Sequence, residues 1–188
     1  FPVGIKSLPP GAPLPARAKR PEKDLGVKVA ICQSIGFARR YGWTLAFSGD
    51  DLACPIAKAA FGFAERNAYY TSGALADGMY ASCREAGARF EDAVPKYAPG
   101  EVGAIVVGPL SRIDFAPDTV LVYGNSAQVL RLVNAALFEK GGSLRTETTC
   151  RADGGGIASR SAPTREPRFL LPCPGARRPG MPAADRMA

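Results

Sequence analysis

The stretch from Val102 to Gly142 constrains the fold more than any other part of this chain. Val102 to Val107 is a compact apolar run of strand length, interrupted by Gly108-Pro109. Pro117-Asp118 then turns the chain into a second β-rich run, Thr119 to Tyr123. Asn125 or Ser126 caps a helix whose apolar residues fall at Val129, Leu130, Val133, Ala136 and Leu137, the spacing of one buried helical face. Gly141-Gly142 ends it. Strand, tight turn and amphipathic helix pack as layers, so the expected class is α/β (or α+β), with a mixed sheet and packed helices in a single compact domain.

The first half carries weaker signals of the same kind. Pro2 to Leu8 reads as a short strand, and Pro9 to Gly26, with five prolines and four basic residues, as an irregular basic arm. Val27 to Ile31 alternates as a strand, Cys32 to Tyr41 reads as a helix ending near Gly42, and Thr44 to Ser48 as a strand closed by Gly49-Asp50. Cys54-Pro55 opens a helix over Ile56 to Ala64, with Pro55 at the first helical position, where a missing N–H costs nothing. Ser82 to Phe90 reads as a short helix, and residues 144 to 149 as one more strand. Six prolines in the last 38 residues predict an irregular Pro/Arg-rich segment draped on the body. The expected domain spans residues 1–178, with 179–188 an irregular tail; a length of 188 residues suits one such core.

Charge narrows the partners. Residues 1–30 and 151–188 each carry a basic surplus of four, while the 120 residues between them sum to minus one. The formal excess of +7 therefore sits in two Pro-rich arms around a near-neutral body. Neither arm shows aromatic interleaving or a nucleic-acid signature, so the charge predicts solubility and loose association rather than nucleic-acid recognition. No run approaches the roughly 20 apolar residues that span a bilayer, and no apolar leader segment precedes the proline-rich arm, so no membrane contact and a cytoplasmic location are expected.

Histidine is absent from all 188 residues. That excludes Ser-His-Asp and Cys-His nucleophile arrangements and every zinc site built with imidazole. Chemistry in this chain has to run on cysteine, carboxylate, lysine, tyrosine or a bound cofactor.

Five ordered segments resemble the family called domain of unknown function 169. PVGIKSL is similar to its opening strand, and RPEKDLGVKVAICQSIGFAR and DDLACPIAKAAFGF to its two cysteine segments. VPKYAPGEVGAIVVGPLSRIDFAPDTVLVYGNSAQ and the helix after it resemble its longest stretch, and PCPGAR its closing Cys-x-Gly-Ala-Arg. An aromatic residue would be typical after that last motif; here Arg178-Pro179 follows. The resemblance covers most of residues 1–178 and implies a cytosolic prokaryotic protein with an α/β body. It implies no reaction, and no catalytic set is assigned.

The cysteines are the leading site candidates. Cys83 reads as a small buried hydrophobe within its short helix. Cys32, Cys54, Cys150 and Cys173 instead lie at element boundaries, in two pairs separated by 22 and 23 positions, each pair ending in Cys-Pro. A cysteine just ahead of a helix that begins with proline points its sulfur at the positive end of the helix dipole, which favours thiolate. Four thiolates can hold an iron–sulfur cluster, although no Cys-x-x-Cys pair is present. The expected function is thus an iron–sulfur-binding redox or cofactor-handling accessory protein with a redox or protein partner.

Two other readings come from different features. A small anionic ligand could sit at the helix start, using Asn125, Gln128 and a guanidinium from Arg177, against the plainer reading that Asn125 only caps the helix. A structural interaction protein docking through its basic arms is the third. Cys54 as an unaided nucleophile ranks below these, since Asp50 and Asp51 beside it oppose thiolate formation and are better employed capping the helix.

Overall fold

A computed structural model describes residues 2–78, 80–138 and 141–144. The elements run β1 (Val3–Leu8), α1 (Pro21–Leu25), α2 (Ile31–Tyr41), β2 (Leu45–Phe47), α3 (Pro55–Ala60), α4 (Ala68–Thr71), α5 (Arg84–Ala93), β3 (Ala104–Pro109), β4 (Thr119–Leu121) and α6 (Ser126–Phe138). Four strands form one sheet in the order β2-β3-β1-β4, and every pair is antiparallel. The expected class holds as its α+β form, but the sheet is antiparallel rather than mixed, and among the described residues parallel pairing is confined to isolated bridges.

The alternation of β1 explains both faces of the sheet. Val3 and Ile5 point to one face beside Val107, Ile105 and Phe47, where Ile31, Ile35 and Ala38 of α2 cover them together with Leu52, Ala57 and Phe61. Burying each Ile, Leu or Phe of this set contributes roughly 1.5–3 kcal/mol over leaving it in water. Gly4 and Gly108 pair across β1 and β3 on the opposite face. A Cβ at Gly108 would stand 2.6 Å from Ile113 and 2.8 Å from Thr44, so this glycine admits a close approach by the loop before β4. The Gly-Pro expected to break the third strand therefore continues it, with Pro109 paired to Val3 at the strand end, where a missing N–H is tolerated.

The basic arm is irregular up to Arg20, as expected, but it ends in the short helix α1 and is tied to the sheet. Lys19 N–H donates to Thr44 O and Ala46 N–H donates to Lys19 O, each at 2.9 Å, so the arm closes the outer edge of β2. The next residue, Arg20, reaches a carboxylate that is 1% exposed, Asp51. Arg20 Nε and Nη2 donate to Asp51 Oδ2 at 2.9 and 2.6 Å, Ser48 N–H and Oγ donate at 3.0 and 3.2 Å, and Glu22 N–H donates to Oδ1 at 3.2 Å. The tight turn into α1 follows, with Pro21 at its first position.

Two expectations shift for tertiary reasons. Val27 to Ile31 makes only a single parallel bridge, Val29 to Leu52, because α2 begins at Ile31. The second short helix is Arg84–Ala93, so Cys83 is its exposed N-cap rather than a buried helical residue. Of the strand expected at 144–149 only residue 144 is described, and it is not in a strand; the rest of it, the domain limit at residue 178 and the tail lie outside the described residues.

Burial raises the Asp51 pKa, but the backbone of Ser48, the Arg20 guanidinium and the backbone of Glu22 more than reverse this, leaving it below the usual carboxylate value of 3.8. A carboxyl lowered in the folded state stabilises the fold above the unfolded pKa, and that contribution is lost as pH falls through the folded value. Asp51→Asn is expected to cost about 3 kcal/mol at neutral pH by stranding Arg20, read as a denaturant midpoint shift. Between about pH 5 and pH 2 the wild-type chain should lose stability more steeply than this variant.

Candidate functional site

Two helix starts are set side by side by the bridge between Val29 and Leu52. Val29 N–H donates to Asp51 O and Ala53 N–H donates to Val29 O, both at 2.9 Å. The bridge is parallel, so both segments leave it in the same direction, and each then enters a helix. Ile31, two residues past the bridge on one segment, begins α2, and Cys54, two residues past it on the other, is the N-cap of α3. Cys32 lies in the first turn of α2 and is exposed, while Cys54 is the N-cap of α3, half-buried against the core cluster.

Local chemistry explains both helix starts. Gln33 Oε1 accepts the Ala30 N–H at 2.8 Å ahead of α2. Cys54 has extended backbone angles with Pro55 at the first helical position, as the Cys-Pro pair predicts. No side chain caps α3, however. The capping role expected of Asp51 is overturned, because its carboxylate turns inward to Arg20, Ser48 and Glu22. Arg20 and Asp51 lie 31 positions apart, so no local pattern could have paired them.

Beside Cys32 stands Tyr123, which follows β4. The Arg39 guanidinium lies 3.8 Å from the centre of its ring. Burial pushes the Tyr123 phenol up from its ordinary value, the Arg39 cation pulls it back, and Cys32 adds to the rise.

Asn125 and Gln128 form a reciprocal capping box at α6. Asn125 N–H donates to Gln128 Oε1 at 2.9 Å, and Gln128 N–H donates to Asn125 Oδ1 at 3.0 Å. Both acceptor oxygens are thus committed to the helix start. The third member of that proposed set, Arg177, lies outside the described residues, as do Cys150 and Cys173. Among the described residues no three Cys, Asp or Glu side chains converge on a metal-sized centre.

A small cleft between α3, α4 and α5 is lined by Arg66, Tyr70, Glu91 and Lys96. Its charges serve the fold. Lys96 Nζ donates to the carbonyls of Glu91, Asp92 and Val94 at the end of α5, and Arg66 pairs with Asp92 at 2.6 Å. Burial, with the neighbouring Arg66 charge, holds the Lys96 ammonium below its ordinary pKa.

The profile of the family domain of unknown function 169, described as uncharacterised ArCR, matches residues 1–188. The chain belongs to this family. An uncharacterized protein of Methanocaldococcus jannaschii is 36% identical over 101 residues, which is 50% of this chain and 40% of that protein. The chain thus spans well under two thirds of that relative. No solved structure matches the chain. This family member has no helix, among its described residues, long and apolar enough to cross a membrane.

Exposure separates the cysteines. A brief pulse of maleimide on the native chain, mapped by peptide mass, should label Cys32 and Cys83 well before Cys54, whose sulfur packs against the core. Equal rates at all three would contradict the placement of Cys54.

Proposed function

We propose that this chain binds an iron–sulfur cluster through Cys32, Cys54, Cys150 and Cys173 and acts as a redox or cofactor-handling accessory protein. The observation that supports this reading is the parallel bridge at Val29 and Leu52, which leads two cysteines 22 positions apart to adjacent helix starts. Thiolates are the ligands such clusters take, and a chain without histidine has no imidazole to compete for the same role. A cluster ligated partly by the segment beyond residue 144 would tie that segment to the α2–α3 end of the body.

Cys54 suits a ligand role better than a nucleophilic one. It sits at a helix start, half-covered by the core, and the nearest buried carboxylate, Asp51, is fully engaged by five donated hydrogen bonds. Asp51 therefore does not act as a base toward the sulfur. The reading in which the basic arm docks on a partner draws less support, since the Arg20 guanidinium of that arm is committed to Asp51.

Anaerobic reconstitution of the full chain with ferrous iron and sulfide should give a brown protein with charge-transfer absorption and matched iron and sulfide. Cys54→Ser and Cys32→Ser should each lose most of that absorption, while Cys83→Ser should keep it. A colourless, iron-free product from the wild-type chain would end the reading.

A further inference from the structure

The exposed side of α2 and the turn after it gather cations and aromatic rings, with Phe37, Arg39, Arg40, Tyr41 and Trp43 within seven positions and Lys19 and Tyr123 joining them from elsewhere in the chain. At one side Arg39 stacks on Tyr123. At the other, Phe37, Tyr41 and Trp43 form a cluster with ring centroids 6.0, 5.8 and 5.2 Å apart. The Lys19 ammonium lies 5.5 Å from the Trp43 ring, and the Arg40 guanidinium 5.8 Å from the Tyr41 ring. Between the two sides is Gly36, where an added Cβ would meet nothing within 4 Å. At about 100° per residue, Arg40 lies midway along the exposed arc of about 200° from Arg39 to Tyr41, with Gly36 about 40° to its Arg39 side. Residues 31–47 contain no Asp or Glu.

We propose that this face of α2 binds single-stranded nucleic acid. Unpaired bases would stack on the Tyr41–Trp43 platform and on Tyr123, and phosphates would pair with Arg39, Arg40 and Lys19. Stacking platforms beside a track of cations are what sequence-tolerant single-strand binding requires, because every base has a π-face and every linkage a negative charge. A cation held against a ring is already placed for the phosphate of a base stacked nearby. A paired duplex keeps its bases out of reach of the rings. A lipid surface would call for aliphatic residues at the centre of the face, where Gly36 and Arg40 stand instead. The run from Phe37 to Trp43 interleaves rings and cations in the sequence itself, while Lys19 and Tyr123 reach the surface only through the β2 edge and the end of β4.

Trp43 is the single tryptophan of the chain, so its emission reports directly on the platform. Titrating the full chain at low salt with oligothymidine of about 15 nucleotides should quench that emission. Tyr41→Ala should weaken binding about 10-fold with the salt dependence unchanged. The Arg39→Glu, Arg40→Glu double variant should weaken it more than about 10-fold and lower the slope of log affinity against log salt by about 1 or more. Tyr41, Arg39 and Arg40 are exposed, and a thermal melt matching wild type confirms that each variant is folded. Tyr41→Ala and the double arginine variant should take up iron and sulfide on reconstitution as wild type does, so the cluster reading and this one fail separately. The proposal is overturned by absent quenching, by affinities indifferent to both variants, by a duplex that competes equally, or by quenching with phosphatidylserine vesicles but not with oligothymidine.

Discussion

An ionised carboxylate buried at Asp51 obliges its surroundings to supply charge and hydrogen bonds, and much of the first half of the chain is arranged to do so. Taking such a group out of water costs several kcal/mol unless a cation and donors replace its hydration. Arg20 supplies the cation, and Ser48 and Glu22 supply donors. Three separate segments are drawn together in consequence: the arm before α1, the end of β2 and the loop before α3. The arm in turn lies along the outer edge of β2, and the backbone of Asp51 receives the N–H of Val29. Both cysteine-bearing helix starts follow directly from that last bond.

The second half obeys simpler rules. The antiparallel pairing of β1 with both β3 and β4 places Ile5 opposite Val107 on one side and Thr119 on the other, at the middle of the sheet. Beyond β4 the chain caps α6 with Asn125 and Gln128 and closes it near Gly141, whose N–H donates to Leu137 O at 2.7 Å. No residue of α6 is buried by the described residues, and Leu130 and Phe138 stand 58% and 89% exposed. The apolar periodicity correctly marked the helix, but the face expected to be buried is not buried by the described residues: Val129, Val133, Ala136 and Leu137 are half-buried and Leu130 is exposed. Periodicity carries no information about what lies against that side.

The same division runs through the candidate site. Cys54-Pro55 read correctly as a helix start, because proline at the first helical position is a local steric preference. The Asn125–Gln128 box was equally legible, for its hydrogen bonds close within three residues. Cys83 was misread as core because a helix boundary two residues later than expected turns a helical position into a cap. Gly108-Pro109 was misread as a break because the glycine answers to Ile113 and Thr44 rather than to a turn. The Asp51–Arg20 pair had no local signature at all, nor did the arrival of Lys19 and Tyr123 beside α2.

From sequence alone came the class of the fold, most of its elements, the absence of imidazole chemistry and the family. These depend on composition and on patterns that close within a turn of helix or a few residues of strand. Tertiary structure alone decided that the basic arm guards a sheet edge, that Asp51 is an internal anchor rather than a cap, and that Cys32 and Cys54 share one end of the body. Those outcomes rest on contacts between residues about 20 to 30 positions apart, where chain connectivity sets no preference and burial of charge and apolar surface makes the choice.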